Sequence, residues 1–410
     1  MRLLFFTTAN LCKTQNGDFH NGVGWVGALC KALLENGDFD IAVAYEGSGA
    51  WGENKEEIHH YPLSAFNSWR NRLKRKMSIS AEERLLVPQM QKAIAEFKPD
   101  IIQVFGSENA FGTICQHTDV PSVIHIQGFL PAYVNAYFPP GISFGDYCHQ
   151  AIWNPRELYQ RIWRWHVFRE RAKREAQILA KGKYFLGRTE WDKAIVRTYS
   201  PFGRYFHCDE ILRPEFYDSK AWQPHQRTQW HIVSVISMPI YKGQDLILKT
   251  ANLLKNKLGL FFIWEIYGVY DLRFFEKKLG INAESVDVHI KGSVDAETLR
   301  NALLEADVYV HPSYIDNSPN SLCEAQMLGL PVVGTDVGGV SSLVQNGVNG
   351  LLVPANDPMM LADYLHHLLN DGEYSSVLGA AARRTAQKRH DPSRIVKDLS
   401  QVYEAMLQRD

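Results

Sequence analysis

The sequence predicts an α/β protein built from two Rossmann-like domains, each with a parallel sheet. Short apolar runs that end in turn residues alternate with amphipathic helical patterns, and this alternation occurs twice along the chain. The length of 410 residues fits about two domains, and 45% hydrophobic with 22% charged residues is typical of a folded, core-forming chain. A polar, proline-containing stretch at 213–230 separates the two series and is the expected linker.

The predicted elements follow from these runs in chain order. Strands are expected at 2–8, 41–45, 101–105, 123–127 and 184–187, and then at 231–237, 261–267, 286–291, 308–311 and 331–335. Helical patterns are clearest at 26–35, 244–257, 296–305 and 319–328, with a last helix at about 392–408. We therefore divide the chain into an N-terminal domain at 1–215, a C-terminal domain at 216–390 and a C-terminal helix at 391–410. Because such folds bind ligands outside the carboxyl ends of their strands, we expect a ligand in a cleft between the two sets of strand ends.

Charge and composition exclude several other classes of protein. The formal net charge is only -1, and no apolar run approaches the roughly 18 residues of a membrane span. The apolar opening at 3–6 is too short for a signal peptide. The six cysteines are scattered without the paired spacing of a metal site, which favours free thiols in a reducing compartment. We expect the chain in the cytoplasm.

Two carboxylates, Asp316 and Glu324, flank the start of the helix predicted at 319–328. Ser318 suits the N-cap and Pro319 the first helical position. A rise of 1.5 Å per residue places the acids on the order of 10 Å apart, wider than the about 5 to 5.5 Å of a retaining glycosidase. A diphosphate at the helix N-terminus fits between them, so that Glu324 accepts ribose hydroxyls and Asp316 sugar hydroxyls. An ordinary capped helix after a strand is the competing interpretation.

The order of motifs around these acids resembles a known family. A strand at 308–311 leads to Ser313, the acid follows, and seven residues separate that acid from Glu324 and Ala325. A Pro-Val-Val strand then ends in Gly338-Gly339, and the match continues through 345–354. This series, over most of 230–360, resembles the retaining GT-B glycosyltransferases of family 4, the glycosyl transferases group 1.

The resemblance implies a GT-B architecture, in which two Rossmann-like domains face each other across a deep cleft and the last helix returns to the N-terminal domain. It implies transfer of a sugar from a nucleotide-sugar donor, UDP-linked, to a glycan or lipid-linked acceptor in surface polysaccharide synthesis. The N-terminal domain would hold the acceptor and the C-terminal domain the donor. The donor-binding residues around the two acids would then be Asn317, Ser318, Asn320 and Ser321.

Lys242 and Gly243 lie between a predicted strand and a predicted helix, and we expect Lys242 to bind the donor phosphates. A preorganised cation there stabilises the negative charge that develops on the leaving oxygen. The family often carries an arginine five positions earlier, where this chain has Ser237. Arg188 or Arg213 could replace it, whereas a surface salt bridge is the competing interpretation for both and is favoured for Arg213.

Gln127 is a second departure, because the family commonly has a histidine at this position, directly before Gly128. A glutamine can hold a sugar hydroxyl but cannot transfer protons, so a mechanism that needs a basic side chain there is disfavoured. A front-face mechanism, in which the leaving phosphate takes the acceptor proton, is compatible with glutamine at position 127. Glu108, after another strand, is expected to reach the acceptor, with a solvated loop acid as the equal alternative.

The segment from Gly22 to Gly27 spells the dinucleotide fingerprint, and Glu46 follows where a ribose-binding acid would stand. The fingerprint must follow its strand directly, but about thirteen residues separate Gly22 from the strand predicted at 2–8. We therefore expect Gly22 and Gly24 to close over a bound diphosphate instead of binding NAD. Helix-packing glycines are the competing interpretation for Gly27.

Basic residues are concentrated in two stretches. Residues 156–183 carry nine basic and three acidic residues among tryptophans, and 69–77 add five basic residues and no acid. Such a face could bind an anionic membrane, at the inner face of which the protein would be peripheral, or a lipid-linked acceptor. A solvated helix with a buried aromatic stripe is the alternative. No nucleic-acid recognition module accompanies the charge.

Three other functions stay open from the sequence. A GT-B nucleotide-sugar epimerase would share the donor site. A non-catalytic partner subunit would keep the fold but lose the affinity for the donor. A dehydrogenase would bind NAD through Glu46. No metal and no cofactor is expected, since the nucleotide-sugar would be a substrate.

Overall fold

The computed structural model describes residues 1–8, 24–55 and 57–408. The chain forms two compact units. The first comprises Met1–Val134, Arg164–Ile211 and His390–Asp410, and the second comprises Asn135–Trp163 and Leu212–Arg389. The sequence-based division at 215 and 390 did not separate Asn135–Trp163 from its neighbours, and the acceptor and donor roles of the domains stay predictions.

The first unit is built on an eight-stranded sheet. In chain order its strands are β1 (Arg2–Phe6), β2 (Asp40–Glu46), β3 (Glu53–Lys55), β4 (Ile58–Leu63), β5 (Ile101–Phe105), β6 (Ser122–His125), β7 (Tyr184–Gly187) and β8 (Arg204–His207). Their order across the sheet is β3-β4-β2-β1-β5-β6-β7-β8, and only the β3–β4 pair among them is antiparallel. The central strands are mostly apolar and almost entirely buried, which is typical of a sheet covered on both faces, and β5 and β6 also carry the buried polar residues Gln103 and His125.

The second unit is built on a six-stranded sheet in which every pair is parallel. Its strands are β9 (Trp230–Val235), β10 (Phe262–Tyr267), β11 (Val288–Gly292), β12 (Val308–His311), β13 (Val332–Thr335) and β14 (Leu351–Val353), in the spatial order β11-β10-β9-β12-β13-β14. Two apolar clusters lie on the two faces of the central strands, one containing Trp264 and Val310 and the other Val233 and Tyr309. Side chains alternate between the faces along each strand, which explains this division.

The α-helices connect and cover these strands. They are α1 (Gly24–Asn36), α2 (Trp69–Met77), α3 (Ile79–Phe97), α4 (Leu130–Asn135), α5 (Phe144–His149), α6 (Pro155–Lys181), α7 (Glu190–Tyr199), α8 (Gln244–Asn256), α9 (Arg273–Leu279), α10 (Ala296–Glu305), α11 (Asn320–Leu328), α12 (Pro358–Asn370), α13 (Gly372–Arg389) and α14 (Pro392–Leu407). The last helix, α14, belongs to the first unit and packs against α1. Among the described helices, none is long and apolar enough to cross a membrane.

The predicted strands and helices match the observed ones to within one or two residues at most boundaries. Four strands were not predicted, namely β3, β4, β8 and β14. In β4 the residues His59, His60 and Pro62 interrupt the apolar run, although His60 is buried. The others have only three or four residues, too few for a clear alternation.

Candidate active site

The second unit has a topological switch point between β9 and β12. The chain runs from β9 to β10 on one side and later returns to β12 on the other side, so the loops after β9 and β12 diverge and leave a crevice. Lys242 ends the 3-10 helix Ile240–Lys242 in the loop after β9, and Asp316 lies in the loop after β12. The two residues predicted to contact the donor therefore stand on either side of one crevice.

Backbone contacts hold these two loops together. The amide of Tyr314 donates to the carbonyl of Tyr241 at 2.8 Å. Gly243 has a φ of +82°, and a Cβ atom there would lie 2.1 Å from the carbonyl oxygen of Pro312. Glycine is therefore required at Gly243 for both conformation and space. Gly243 was predicted to contact the donor, and this stays a prediction. In the structure, its missing side chain lets the Lys242 loop approach the Asp316 loop.

Lys242 and Asp316 form a largely buried ion pair, in which 16% and 10% of the two side chains are exposed. The Nζ atom of Lys242 lies 2.6 Å from Oδ2 of Asp316, and Nε2 of His311 lies 2.9 Å from the same oxygen. The other oxygen, Oδ1, accepts from the amide of Asn317 at 3.1 Å. Burial raises the pKa of Asp316, but the Lys242 ammonium and the His311 ring outweigh it and hold that pKa well below its usual range. Asp316 is therefore a carboxylate, and both of its oxygens accept hydrogen bonds within the unit.

His311 also connects Asp316 to the helix α11. Its Nδ1 atom lies 3.4 Å from the hydroxyl of Tyr309, and that hydroxyl lies 2.8 Å from Oγ of Ser321. Both rings are buried in the strand β12 and its end. Sequence reasoning missed His311 and Tyr309, although a histidine directly before Pro312 and five residues before an acid was a usable signal.

Helix α11 begins one residue later than predicted. Pro319 is the N-cap and has no side-chain capping bond, so the prediction of Ser318 as the N-cap was wrong. Asn317 and Ser318 are buried in the loop before the helix. The side-chain oxygen of Asn320 is buried without a hydrogen-bond partner among the described residues. The first turn of α11 thus gathers the predicted donor-binding residues beside Asp316, and its amides offer a site for an anion.

Glu324, on the second turn of α11, is paired with Arg213. The Nε and Nη2 atoms of Arg213 lie 2.7 Å and 2.8 Å from the two oxygens of Glu324, and only 16% and 3% of the two side chains are exposed. Burial raises the pKa of Glu324, and the bonds from Arg213 partly offset this. The salt bridge favoured for Arg213 is present, but it is largely buried and not at the surface. Each carboxylate oxygen keeps one further lone pair, so Glu324 can still accept a hydroxyl.

The loop after β13 packs on the backbone of Asp316. The amide of Gly339 donates to the carbonyl of Asp316 at 3.0 Å. Gly338 has a φ of +53°, and a Cβ atom there would lie 1.9 Å from that carbonyl oxygen. The Gly338-Gly339 pair is therefore needed to bring this loop against Asp316.

The predicted residues of the N-terminal half lie in the first unit. The carbonyl of Gln127 accepts from Nη2 of Arg188 at 3.1 Å, and the Arg188 guanidinium lies 5.2 Å from the ring of Trp25. Arg188 also lies 3.9 Å from Glu210 and is buried, so it is not a surface residue. Gly24 starts α1 with a φ of +56°, whereas Gly22 lies outside the described residues. The structure thus groups Gln127 and Arg188 near the start of α1.

Glu108 does not extend into solvent from its loop. Its carboxylate folds back over Gly106, where a Cβ atom would lie 2.5 Å from it. Burial raises the pKa of Glu108. Oε2 of Glu108 has no hydrogen-bond partner among the described residues. The solvated loop acid is therefore excluded, while the contact of Glu108 with an acceptor stays a prediction.

Three arginines from the basic stretches form ion pairs with acids of the first unit. Arg75 contacts both oxygens of Glu46 at 2.9 Å and 3.2 Å, and it reaches Glu82 at 2.5 Å. Arg174 and Arg171 also contact Glu82, at 2.5 Å and 3.4 Å. These three arginines belong to the stretches predicted as a membrane surface, and they pair with acids of their own unit, while the membrane surface itself stays a prediction. Glu46, the acid that a dehydrogenase would need, is likewise occupied.

Residues 218–385 match the model of the family described as glycosyl transferases group 1. A D-inositol 3-phosphate glycosyltransferase of Arthrobacter sp. (strain FB24) is 32% identical over 181 residues, which cover 41% of this chain and 42% of that protein. The amylovoran biosynthesis glycosyltransferase AmsK of Erwinia amylovora is 26% identical over 255 residues, which cover 60% and 62%. The chain thus spans about half the length of these curated relatives.

Solved structures resemble the chain over its whole length. A sucrose-phosphate synthase from Thermosynechococcus elongatus superimposes with a TM-score of 0.74 at 16% identity and covers 100% of both chains. HepE from Anabaena, in complex with UDP-glucose, superimposes with a TM-score of 0.65 at 14% identity and covers 99% of this chain and 100% of that chain. At these identities the likeness concerns the fold, and it confirms the predicted GT-B class.

Proposed function

Because residues 218–385 match the model of the glycosyl transferases group 1 family, we propose that the chain is a glycosyltransferase that uses a nucleotide-sugar donor. The observation that carries the proposal is the Lys242–Asp316 pair at the β9/β12 switch point, beside the N-terminus of α11. One cation, one carboxylate and a set of helix amides meet there, which suits a sugar diphosphate.

The proposed donor pose follows from these groups. The diphosphate lies against the first turn of α11 and forms an ion pair with the ammonium of Lys242. Asp316, held by His311 at 2.9 Å, accepts hydroxyls of the donor sugar. Glu324, held by Arg213, accepts the ribose hydroxyls on the second turn. Lys242 then stabilises the charge on the leaving phosphate, and that phosphate takes the acceptor proton in a front-face reaction with retention of configuration.

The finer assignments are proposals with separate support. A UDP-linked donor is supported by the fold likeness to HepE, which was solved with UDP-glucose. An acceptor that is a glycan or a lipid-linked glycan of a surface polysaccharide is supported by the name of the amylovoran relative. Neither a metal nor a cofactor is proposed, because Lys242 and the helix amides supply positive charge; an undiminished rate in EDTA would support this.

We propose that α2 brings the protein to an anionic membrane. Trp69 and Leu73, one helical turn apart, are 69% and 49% exposed on a helix without an acidic residue. Arg70, Arg72 and Lys74 are exposed around them. Sedimentation with phosphatidylglycerol vesicles, but not with phosphatidylcholine vesicles, is expected, and W69A together with L73A should abolish it. Unchanged sedimentation of that double variant would assign binding to another surface.

The first test is ligand binding to matched lysine variants. UDP at 100 times its dissociation constant should stabilise the wild type by about 2.7 kcal/mol, whereas GDP and NAD should not. Lys242→Met should lose this stabilisation. Lys255→Met is the control, because Lys255 also pairs with an aspartate in the second unit, Asp287 at 2.6 Å, but directly before β11 and so at the sheet edge opposite to the switch point.

The second test follows the product. Incubation with UDP-sugar and an acceptor should release UDP, and the new glycosidic bond should keep the anomeric configuration of the donor. Turnover of the UDP-sugar without any acceptor would instead favour an epimerase or a hydrolase. Stabilisation by none of the nucleotides would favour a non-catalytic partner subunit.

A further inference from the structure

A chain of three buried polar side chains runs through the first unit from the last helix to the end of β6. The hydroxyl of Tyr403 on α14 donates to Oε1 of Gln103 on β5. Nε2 of Gln103 lies 3.2 Å from Nδ1 of His125, the last residue of β6. All three side chains are fully buried. With the Tyr403 hydroxyl donating to Oε1, the amide nitrogen of Gln103 is the end that faces His125.

The orientation of Gln103 decides where His125 carries its proton. An amide nitrogen can only donate, so Nδ1 of His125 must accept, and a neutral ring then carries its proton on Nε2. The ring is neutral, because burial and then the nearby Arg188 lower the pKa of His125 to about 3. Its Nε2 has no hydrogen-bond partner among the described residues, although the ring is completely buried. An unpaired buried donor is costly, which calls for a ligand.

The surroundings of the ring point to a binding role. The ring of His125 lies 4.8 Å from Trp25 at the start of α1 and 5.8 Å from Phe105 at the end of β5. These positions mark the carboxyl edge of the first sheet, close to its own switch point, where β1 stands between β2 and β5.

We propose that Tyr403 and Gln103 are positioning residues that keep the proton of His125 on Nε2, so that His125 donates a hydrogen bond to a ligand oxygen at this edge. The class of that ligand, a sugar hydroxyl of the acceptor, rests on the proposed glycosyltransferase function. The assignment of the His125 proton to Nε2 does not depend on that function.

Nitrogen-15 NMR of the full chain with labelled histidines tests the tautomer directly, with His125→Gln to assign the signal. The wild type should show an unprotonated Nδ1 and a protonated Nε2. Tyr403→Phe should give a mixture of tautomers, because the Gln103 amide can then turn. Gln103→Glu should move the proton to Nδ1, since a carboxylate accepts from it.

Tyr205→Phe is the matched control, since it also removes one tyrosine hydroxyl bond in the first unit, to the carbonyl of Thr189 at 3.1 Å. It should leave the His125 signals unchanged. Wild-type His125 with its proton on Nδ1, or an unchanged tautomer in both Tyr403→Phe and Gln103→Glu, would overturn the proposal.

The functional arm separates this proposal from the donor site. Tyr403→Phe should lower kcat/KM for the acceptor by about three- to tenfold, the range for one hydrogen bond, without changing the Kd of UDP. An equal loss in Tyr205→Phe would make the effect structural. Absence of any transfer activity in the wild type would refute the proposed function while the NMR result still decides the tautomer.

Discussion

Arg213 and Glu324 meet through two parallel hydrogen bonds, although 111 residues separate them in the chain. Arg213 precedes the first strand of the second unit, and Glu324 lies on α11, the helix that starts at the candidate site. The pair therefore connects the segment before β9 to the helix that would carry the diphosphate. Since the geometry is bidentate, it orients the carboxylate as well as neutralising it.

Removing Arg213 should be costly for stability. Arg213→Met leaves Glu324 buried without its cation, which typically costs about 3 to 5 kcal/mol. Urea unfolding followed by tryptophan fluorescence measures the loss. The double variant with Glu324→Gln should recover much of the stability, because no buried charge is then left unpaired. A double variant as unstable as the single one would mean that Arg213 acts through packing alone.

Asp316 should compete with the diphosphate for Lys242. The two side chains are 2.6 Å apart, so a phosphate that draws Lys242 must weaken this pair. Asp316→Asn is therefore expected to tighten UDP binding about fivefold or more, a typical coupling between sites, and to remove any preference for UDP-glucose over UDP. Calorimetric titration of both ligands measures this. Asp287→Asn, which breaks the Lys255 pair, should leave UDP binding unchanged. Weaker UDP binding by Asp316→Asn would contradict the competition.

Gly338 should tolerate no side chain. A Cβ atom there would lie 1.9 Å from the carbonyl of Asp316, so Gly338→Ala must displace the Asp316 loop. Gly347→Ala is the matched control, since Gly347 has a φ of +74° but no atom within 4 Å of its Cβ position. The control should cost about 1 to 2 kcal/mol for the left-handed backbone alone. Gly338→Ala should cost more and should weaken UDP-glucose binding, whereas equal effects of both variants would exclude the clash.

Local sequence determined the elements that have clear patterns. The strands at 101–105, 184–187 and 308–311 and the helix at 296–305 have the predicted boundaries, because apolar runs there end in turn or capping residues. The strand β4 was not predicted because the side chains of two histidines and a proline break its pattern, and its burial comes from neighbouring elements.

In the candidate site, too, local spacing predicted single residues but not their contacts with distant segments. The spacing of Asp316 and Glu324 identified both acids, since a helix fixes the distance along its axis. Their partners could not be read from spacing. Arg213 reaches Glu324 from a distant segment, and His311 shares one carboxylate oxygen with Lys242 only because β9 and β12 are neighbours in the sheet.

Glu175 should make the stability of the protein fall as the pH rises. This glutamate on α6 is fully buried and accepts from Oγ of Ser107 at 2.5 Å and from the amide of Leu130 at 2.6 Å. Burial, with a contribution from Glu108, raises the pKa of Glu175 to about 8. The unfolded value is about 4.3, so the folded state binds more protons between these two values. The stabilisation is present in full below about pH 4.3 and is lost as the pH rises through about 8.

Glu175→Gln removes this titration, and its amide can still accept from Leu130 and donate to Ser107. Relative to the wild type, the variant should therefore gain about 2 kcal/mol of unfolding free energy between pH 6 and pH 8. Urea unfolding at both pH values measures the difference. Glu170→Gln on the same helix, where the side chain is 35% exposed, should show no such gain. If variant and wild type differ in unfolding free energy by the same amount at both pH values, Glu175 is charged throughout this range. The two hydrogen bonds that it accepts would then offset the effect of burial on its pKa.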